Sequence, residues 1–180
     1  MNSRFYRTFY HVICCFCVVI IAQNNISAQE EGKEGKNFLG LSIGYSHVRD
    51  AATIGGTEAE GLFVPSIGFN YFRKASESAK FGIMTDIELS DYLIFDSDLE
   101  RENVFIVVAV ASFQFQDHLT LLGGFGREFD NNEQVQIIRM GAEFPFELKK
   151  GWEVIPEFLF DIKNGTYNVY TLGVSFGLNI

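Results

Sequence analysis

Over most of the chain, large apolar residues alternate with small or polar ones at every second position. The closing stretch shows this most cleanly. Tyr170, Leu172, Val174, Phe176, Leu178 and Ile180 share one face, and Thr171, Gly173, Ser175, Gly177 and Asn179 share the other. Near the opposite end, Leu39, Leu41, Ile43 and Tyr45 stand against Gly40, Ser42, Gly44 and Ser46. A period of two marks a β-strand whose two faces meet different surroundings. No stretch from Glu30 onward sustains a helical period. Eight alternating stretches emerge between turn-rich clusters: 37–48, 61–72, 81–94, 103–115, 118–129, 134–148, 152–162 and 166–180.

This pattern predicts an all-β fold, an eight-stranded antiparallel up-and-down barrel. A tilted strand crosses a bilayer in about 9–11 residues, so each stretch is long enough to span. An even strand count brings both ends of the sheet to the same side of the membrane. Glycine indicates which face points inward. Gly40, Gly44, Gly68, Gly82, Gly124, Gly126, Gly141, Gly173 and Gly177 all fall on the small or polar face. On a solvated outer face they would only weaken the strands. Inside eight strands, where side chains just fit, they make room for larger neighbours. The large apolar face is therefore expected to meet lipid, which makes the barrel transmembrane. A soluble barrel with that face turned inward is the alternative. The run from Val104 to Phe113 is apolar on both faces and has no assigned orientation.

The N-terminus has a different character. Arg4 and Arg7 precede an apolar run from Val12 to Ala22, and small residues follow at Ser27 and Ala28. This order reads as a secretory signal peptide over 1–29. A short segment, 30–36, then leads into the barrel at 37–180. Cys14, Cys15 and Cys17 all lie in the leader, so cleavage near Gln29 would leave no cysteine. It would also remove Arg4 and Arg7 and make the chain more acidic than its formal charge of −9. No basic block exists, so nucleic acid is not an expected partner.

Strand parity places Asp86, Glu88, Glu128, Glu143, Glu147, Glu153, Glu157 and Asp161 inside the barrel, with Arg139 and Lys163 as basic companions. Buried charges must be paired or hydrated. A lumen charge network is therefore expected among Asp86, Glu88, Glu128, Arg139, Glu143, Glu157 and Asp161. Arg139 should reach Asp161 or Glu157 across space left by Gly124 or Gly126. The last connection should be a three-residue loop, 163–165. It would pair Ile162 with Thr166, with Gly165 in the left-handed conformation. Aromatic girdles are expected from Tyr71, Phe113, Phe115, Phe144, Phe146 and Trp152 at one interface. Tyr45, Tyr92, Phe129 and Tyr170 would form the other.

Candidate chemistry is sparse. A nucleophilic enzyme needs a nucleophile, a base and an orienting carboxylate within reach. His47 is directed away from Ser46 by parity, and His118 adjoins the Gln116-Asp117 turn. Neither fits a triad, so no catalytic residue is expected. Asp96, Asp98 and Glu100 resemble half a calcium loop, but Arg101 stands where that loop requires glycine. Asn164-Gly165-Thr166 matches a glycosylation sequon and reads more simply as a turn. No metal site or cofactor is expected.

The leader, the eight strands and the closing run Tyr170–Ile180 together resemble the small outer-membrane β-barrel family of OmpA- and OmpX-like, porin-like domains. The resemblance covers residues 37–180. It implies residence in the outer membrane of a two-membrane bacterium, contact with outer-membrane lipid and insertion by the barrel-assembly machinery. It also implies that Tyr170, Leu172, Val174, Phe176, Leu178 and Ile180 act as the assembly signal. The family usually ends in Phe where this chain has Ile180. A non-enzymatic envelope-structural or surface-interaction role is expected. A narrow channel for small solutes and a soluble periplasmic binding barrel are the rivals. No residue names a surface partner.

Overall fold

A computed structural model describes residues 35–56, 61–95, 99–131, 133–164 and 166–180. The predicted leader, the 29/30 cleavage point, Gly165 and the residues 96–98 of the partial calcium loop lie outside them. The strands are β1 (Asn37–Val48), β2 (Ala51–Thr53), β3 (Leu62–Lys74), β4 (Ala79–Glu88), β5 (Tyr92–Ile94) and β6 (Leu99–Arg101). They continue with β7 (Phe105–Gln116), β8 (Leu119–Phe129), β9 (Gln134–Glu143), β10 (Phe146–Glu147), β11 (Trp152–Lys163) and β12 (Tyr167–Asn179).

Among the described residues, β1, β3, β4, β7, β8, β9, β11 and β12 pair antiparallel, each with the next, and β12 pairs β1 to close an eight-stranded barrel. The seam is clipped at its end, where the Asn37 and Ile180 amides donate to each other's carbonyls at 3.0 and 2.7 Å. β10 continues β9 in the same register against β11. The break between them falls at Pro145, which has no N–H to offer the ladder.

The faces follow the alternation. Leu41 (67% exposed), Phe125 (73%) and Leu172 (68%) point outward, while Ser42, Asn70, Arg139 and Ser175 are buried inside. β7, which sequence left unassigned, turns Ile106, Val108 and Val110 inward and Phe113 outward, and Val104 just before it is also buried. The inward set joins Phe38, Phe72, Met84, Leu122, Ile155 and Leu159 in one apolar cluster within the barrel. A side chain at Gly124 would run into the Ala109 carbonyl and Val110, so this position leaves no room for a Cβ. Gly124 pairs directly with Arg139.

Several connections differ from expectation. The stretch read as one strand over 81–94 leaves the barrel sheet after Glu88. Tyr92–Ile94 instead forms the middle of a separate three-stranded sheet, β2-β5-β6. β2 and β6, which come from turn-rich clusters between the alternating stretches, therefore build a cap with β5. It packs through Ala51, Tyr92, Ile94 and Leu99 onto Val48, Val64, Tyr167 and Val169. Tyr92, expected in an outer girdle, is fully buried there, because its strand leaves the barrel wall and packs within the cap against Val48, Val64, Tyr167 and Val169.

The final loop has three residues but lies one residue further along. Lys163 pairs Tyr167, and Ile162 pairs Asn168 rather than Thr166. The Thr166 amide donates to the Lys163 carbonyl at 2.8 Å, and Asn164 takes the positive φ, 35°. This register puts Lys163 and Tyr167 side by side in the lumen, with the ammonium 3.2 Å from the tyrosine hydroxyl. The β7–β8 turn is Asp117-His118, between paired Gln116 and Leu119, with a bulge at Gln114/Gln116.

Candidate functional site

The lumen is organised in layers of charge. Near mid-barrel, β9 carries Arg139 between β8 and β11. Its Nε and Nη2 donate to the two Asp161 oxygens, each at 2.8 Å, and Nη1 donates to Asp86 Oδ2 at 2.8 Å. Asp161 lies directly across the ladder from Arg139, and Asp86 reaches in from β4 on the far wall. A bidentate guanidinium–carboxylate pair fixes orientation as well as charge.

Above it, toward the loop end, Lys163, Glu128 and Arg101 form a second cluster. Lys163 Nζ pairs with Glu128 and lies 3.5 Å from Glu88. Arg101 pairs with Glu128 and, at 2.6 Å, with Asp130. The Tyr167 hydroxyl donates to Glu128 at 2.6 Å, and the Tyr92 hydroxyl donates to Glu88 at 2.8 Å. Burial and the neighbouring Glu88 carboxylate push the Tyr92 phenol well above its ordinary value of 10.0. It therefore remains a donor at neutral pH. Burial acts to lower Arg101, but Glu128, Tyr167 and Asp130 around it together outweigh that effect and the net shift is upward. Arg101 sits on β6, so its ion pairs tie the cap to the barrel wall.

Glu157 stands apart from both clusters. It accepts from the Ser175 hydroxyl at 3.3 Å, and Ser175 in turn accepts from Asn70 Nδ2 at 2.9 Å. Glu143 is buried lower down, opposite Thr120 and Glu157. The seven expected lumen residues are thus spread over several levels. Asp86, Arg139 and Asp161 meet in one cluster, and Glu88 and Glu128 meet in another. Arg101, Asp130, Tyr92 and Tyr167 belong to that second cluster and were not anticipated. The clue in the sequence was the imbalance itself: eight inward carboxylates set against Arg139 and Lys163 left room for another cation.

Between the two clusters lies a cavity of about 10 Å³, lined in part by Ser46, Asp86, Glu88, Arg139 and Asp161. That is room for about one water. At the terminal end a vestibule of about 390 Å³ opens between the turns, bounded by residues such as Lys80, Ser112, His118 and Glu153. His118 stacks on Phe146 at 6.2 Å, and His47 packs against Phe63 at 4.9 Å on the outer wall. The outward set of the closing strand meets its neighbours through stacked rings, Trp152 on Phe176 and Phe160 on Tyr170, each at 4.7 Å.

Comparison with known proteins bears on the fold. No protein-family model matches the chain, and no curated protein matches its sequence. Among solved structures it is similar to Neisserial surface protein A, with a TM-score of 0.54 and 8% identity over 82% of this chain and 99% of that one. It is similar also to the N-terminal β-barrel domain of Pseudomonas aeruginosa OprF, with a TM-score of 0.52 and 8% identity over 81% and 100% of the two chains. The fold is that of the small eight-stranded outer-membrane β-barrels.

Proposed function

We propose that this protein is a non-enzymatic, integral outer-membrane barrel. Its role would be envelope structure or surface interaction through the loop-end cap rather than passage of solute. The observation that carries this reading is the contrast between the two faces of the wall. Leu41, Ile43, Phe63, Phe125 and Leu172 are each about two-thirds exposed or more around the outside. Soluble proteins rarely leave apolar patches beyond a few hundred Å² in water, whereas lipid accepts such a band. Inside, Arg139 and Lys163 are almost completely buried in ion clusters. The void of about 10 Å³ among them has room for about one water, which supports a lumen filled by side chains rather than an open pore.

On this reading the termini face the periplasm and the β2-β5-β6 cap faces outward. Export through residues 1–29 would come first. Insertion by the barrel-assembly machinery would follow, with Tyr170, Leu172, Val174, Phe176, Leu178 and Ile180 as its signal. Fractionation with a carbonate wash tests the placement. Retention in the outer membrane, with faster gel migration before boiling, is the expected result. Release by carbonate with no heat shift would refute it and favour a soluble barrel. Planar-bilayer recordings test the sealed lumen, and steady unitary conductance would overturn that part alone.

A further inference from the structure

The loop-end clusters hold their carboxylates in ion pairs, whereas among the described residues the glutamates of the lower lumen make none. There β9, β10 and β11 set glutamates directly opposite one another twice, Glu143 against Glu157 and Glu147 against Glu153. Like charges directly across a strand pair destabilise it. Glu143, Glu153 and Glu157 are also buried, with exposures of 8%, 5% and 6%, and buried charges call for a partner. Glu157 has Ser175. Glu153 accepts from Asn179 through Oε1, while its buried Oε2 has no hydrogen-bond partner. Glu143 has Lys80, Glu153 and Glu157 as charged neighbours. Lys80 lies over the Phe38 ring, 5.8 Å from its centroid, and the described residues show no ion pair between it and Glu143.

Two of these carboxylates border accessible space. Glu147 and Glu153 line the vestibule of about 390 Å³, and Glu143 lies opposite Thr120, another wall residue. Pockets that hold small organic molecules measure roughly 300–1,000 Å³. Among the described residues no three acidic or histidine side chains converge closely enough to hold a metal ion. The two glutamate pairs are separated by four residues, roughly 13 Å along the strands. That spacing suits an elongated molecule charged at both ends better than a point charge. The His118–Phe146 stack at the rim offers aromatic faces on which a cation can rest.

We propose that the vestibule binds a small organic cation bearing ammonium or guanidinium groups, which gives Glu147 and Glu153 at its wall, and Glu143 beside them, the ion-pair partner that Lys80 does not supply. The full-length barrel, folded in detergent micelles, can be titrated with agmatine by calorimetry. Uncharged 1,5-pentanediol and Mg²⁺ serve as comparisons. Saturable agmatine binding is expected, with none for the diol. Glu143→Gln with Glu153→Gln should weaken it about tenfold or more, as lost charge-assisted bonds do.

Urea unfolding without ligand separates binding from architecture. Relief of repulsion should leave the double variant at least as stable as wild type, and agmatine should raise the unfolding midpoint of wild type only. Glu147→Gln, at the exposed mouth, is a second variant that leaves the buried positions untouched and should also weaken binding. The proposal is overturned by absence of saturable agmatine binding, by undiminished binding in Glu147→Gln, or by Mg²⁺ binding more tightly than agmatine. It is overturned equally by a ligand-free double variant that is less stable than wild type, because the glutamates would then be partners within the fold.

Discussion

The two halves of the lumen treat buried charge differently. In the loop-end half, Arg101, Arg139 and Lys163 reach Asp86, Glu88, Glu128, Asp130 and Asp161. In the terminal-end half, four glutamates face one another across the β9/β10–β11 ladder, with Lys80 at the wall. Both halves occupy the same narrow barrel, so strand geometry cannot account for the difference. Position along the axis can. The upper half lies under a cap that excludes water and requires its charges to be satisfied internally. The lower half opens to solvent, and whatever enters can share in satisfying them.

The largest test of this contrast is Arg139→Ala. It leaves buried Asp161 and partly buried Asp86 without their guanidinium, and removing one partner of a buried pair costs about 3–5 kcal/mol. Urea unfolding in micelles, followed by the heat-modifiable gel shift, should show a loss of that size. A change below about 1 kcal/mol, the usual size for an exposed pair, would mean that the clusters do not hold the lumen together. Arg101→Ala should cost less, about 1.5–3 kcal/mol for hydrogen bonds to a charged group. Glu128 keeps Lys163 and Tyr167 in that variant. Because Arg101 belongs to β6, the loss should also speed proteolysis in the cap while the barrel stays resistant. Equal protease resistance of cap and barrel would show that apolar packing of Ala51, Ile94 and Leu99 anchors the cap without Arg101.

The same contrast explains which features could be read from the chain. Strand existence and inside–outside parity were legible because lumen and exterior ask for different residues at alternate positions. β7 was not legible, because its inward valines meet the apolar cluster around Met84 and Leu122 while its outward face is apolar as well. No polar residue marked either side. The cap was hidden for another reason. Its strands are three residues long, too short for a period to register, and Tyr92–Ile94 continued the alternation of the barrel strand before it. Arg101 was therefore assigned to a loop. The final hairpin kept its predicted parity but slipped along the ladder. Loop length fixes which face a residue takes, whereas the Lys163–Tyr167–Glu128 contacts favour one register among those that preserve it.

The smallest effect sharpens the picture of the sealed half. Tyr92→Phe removes the donor to Glu88 and keeps the ring in its apolar site. The cost at neutral pH should be about 1 kcal/mol, typical of one hydrogen bond. The pH dependence identifies its source. The folded-state phenol titrates above its ordinary value of 10.0, chiefly from burial and then from Glu88. Its stabilisation is therefore fully present below that value and is lost as pH rises from there through the folded-state value. Unfolding midpoints of wild type and Tyr92→Phe should differ by a constant amount from neutral pH up to about 10 and converge above it. Parallel curves across the alkaline range would show that Tyr92 ionises as an exposed phenol does, and that the cap leaves the upper cluster open to water.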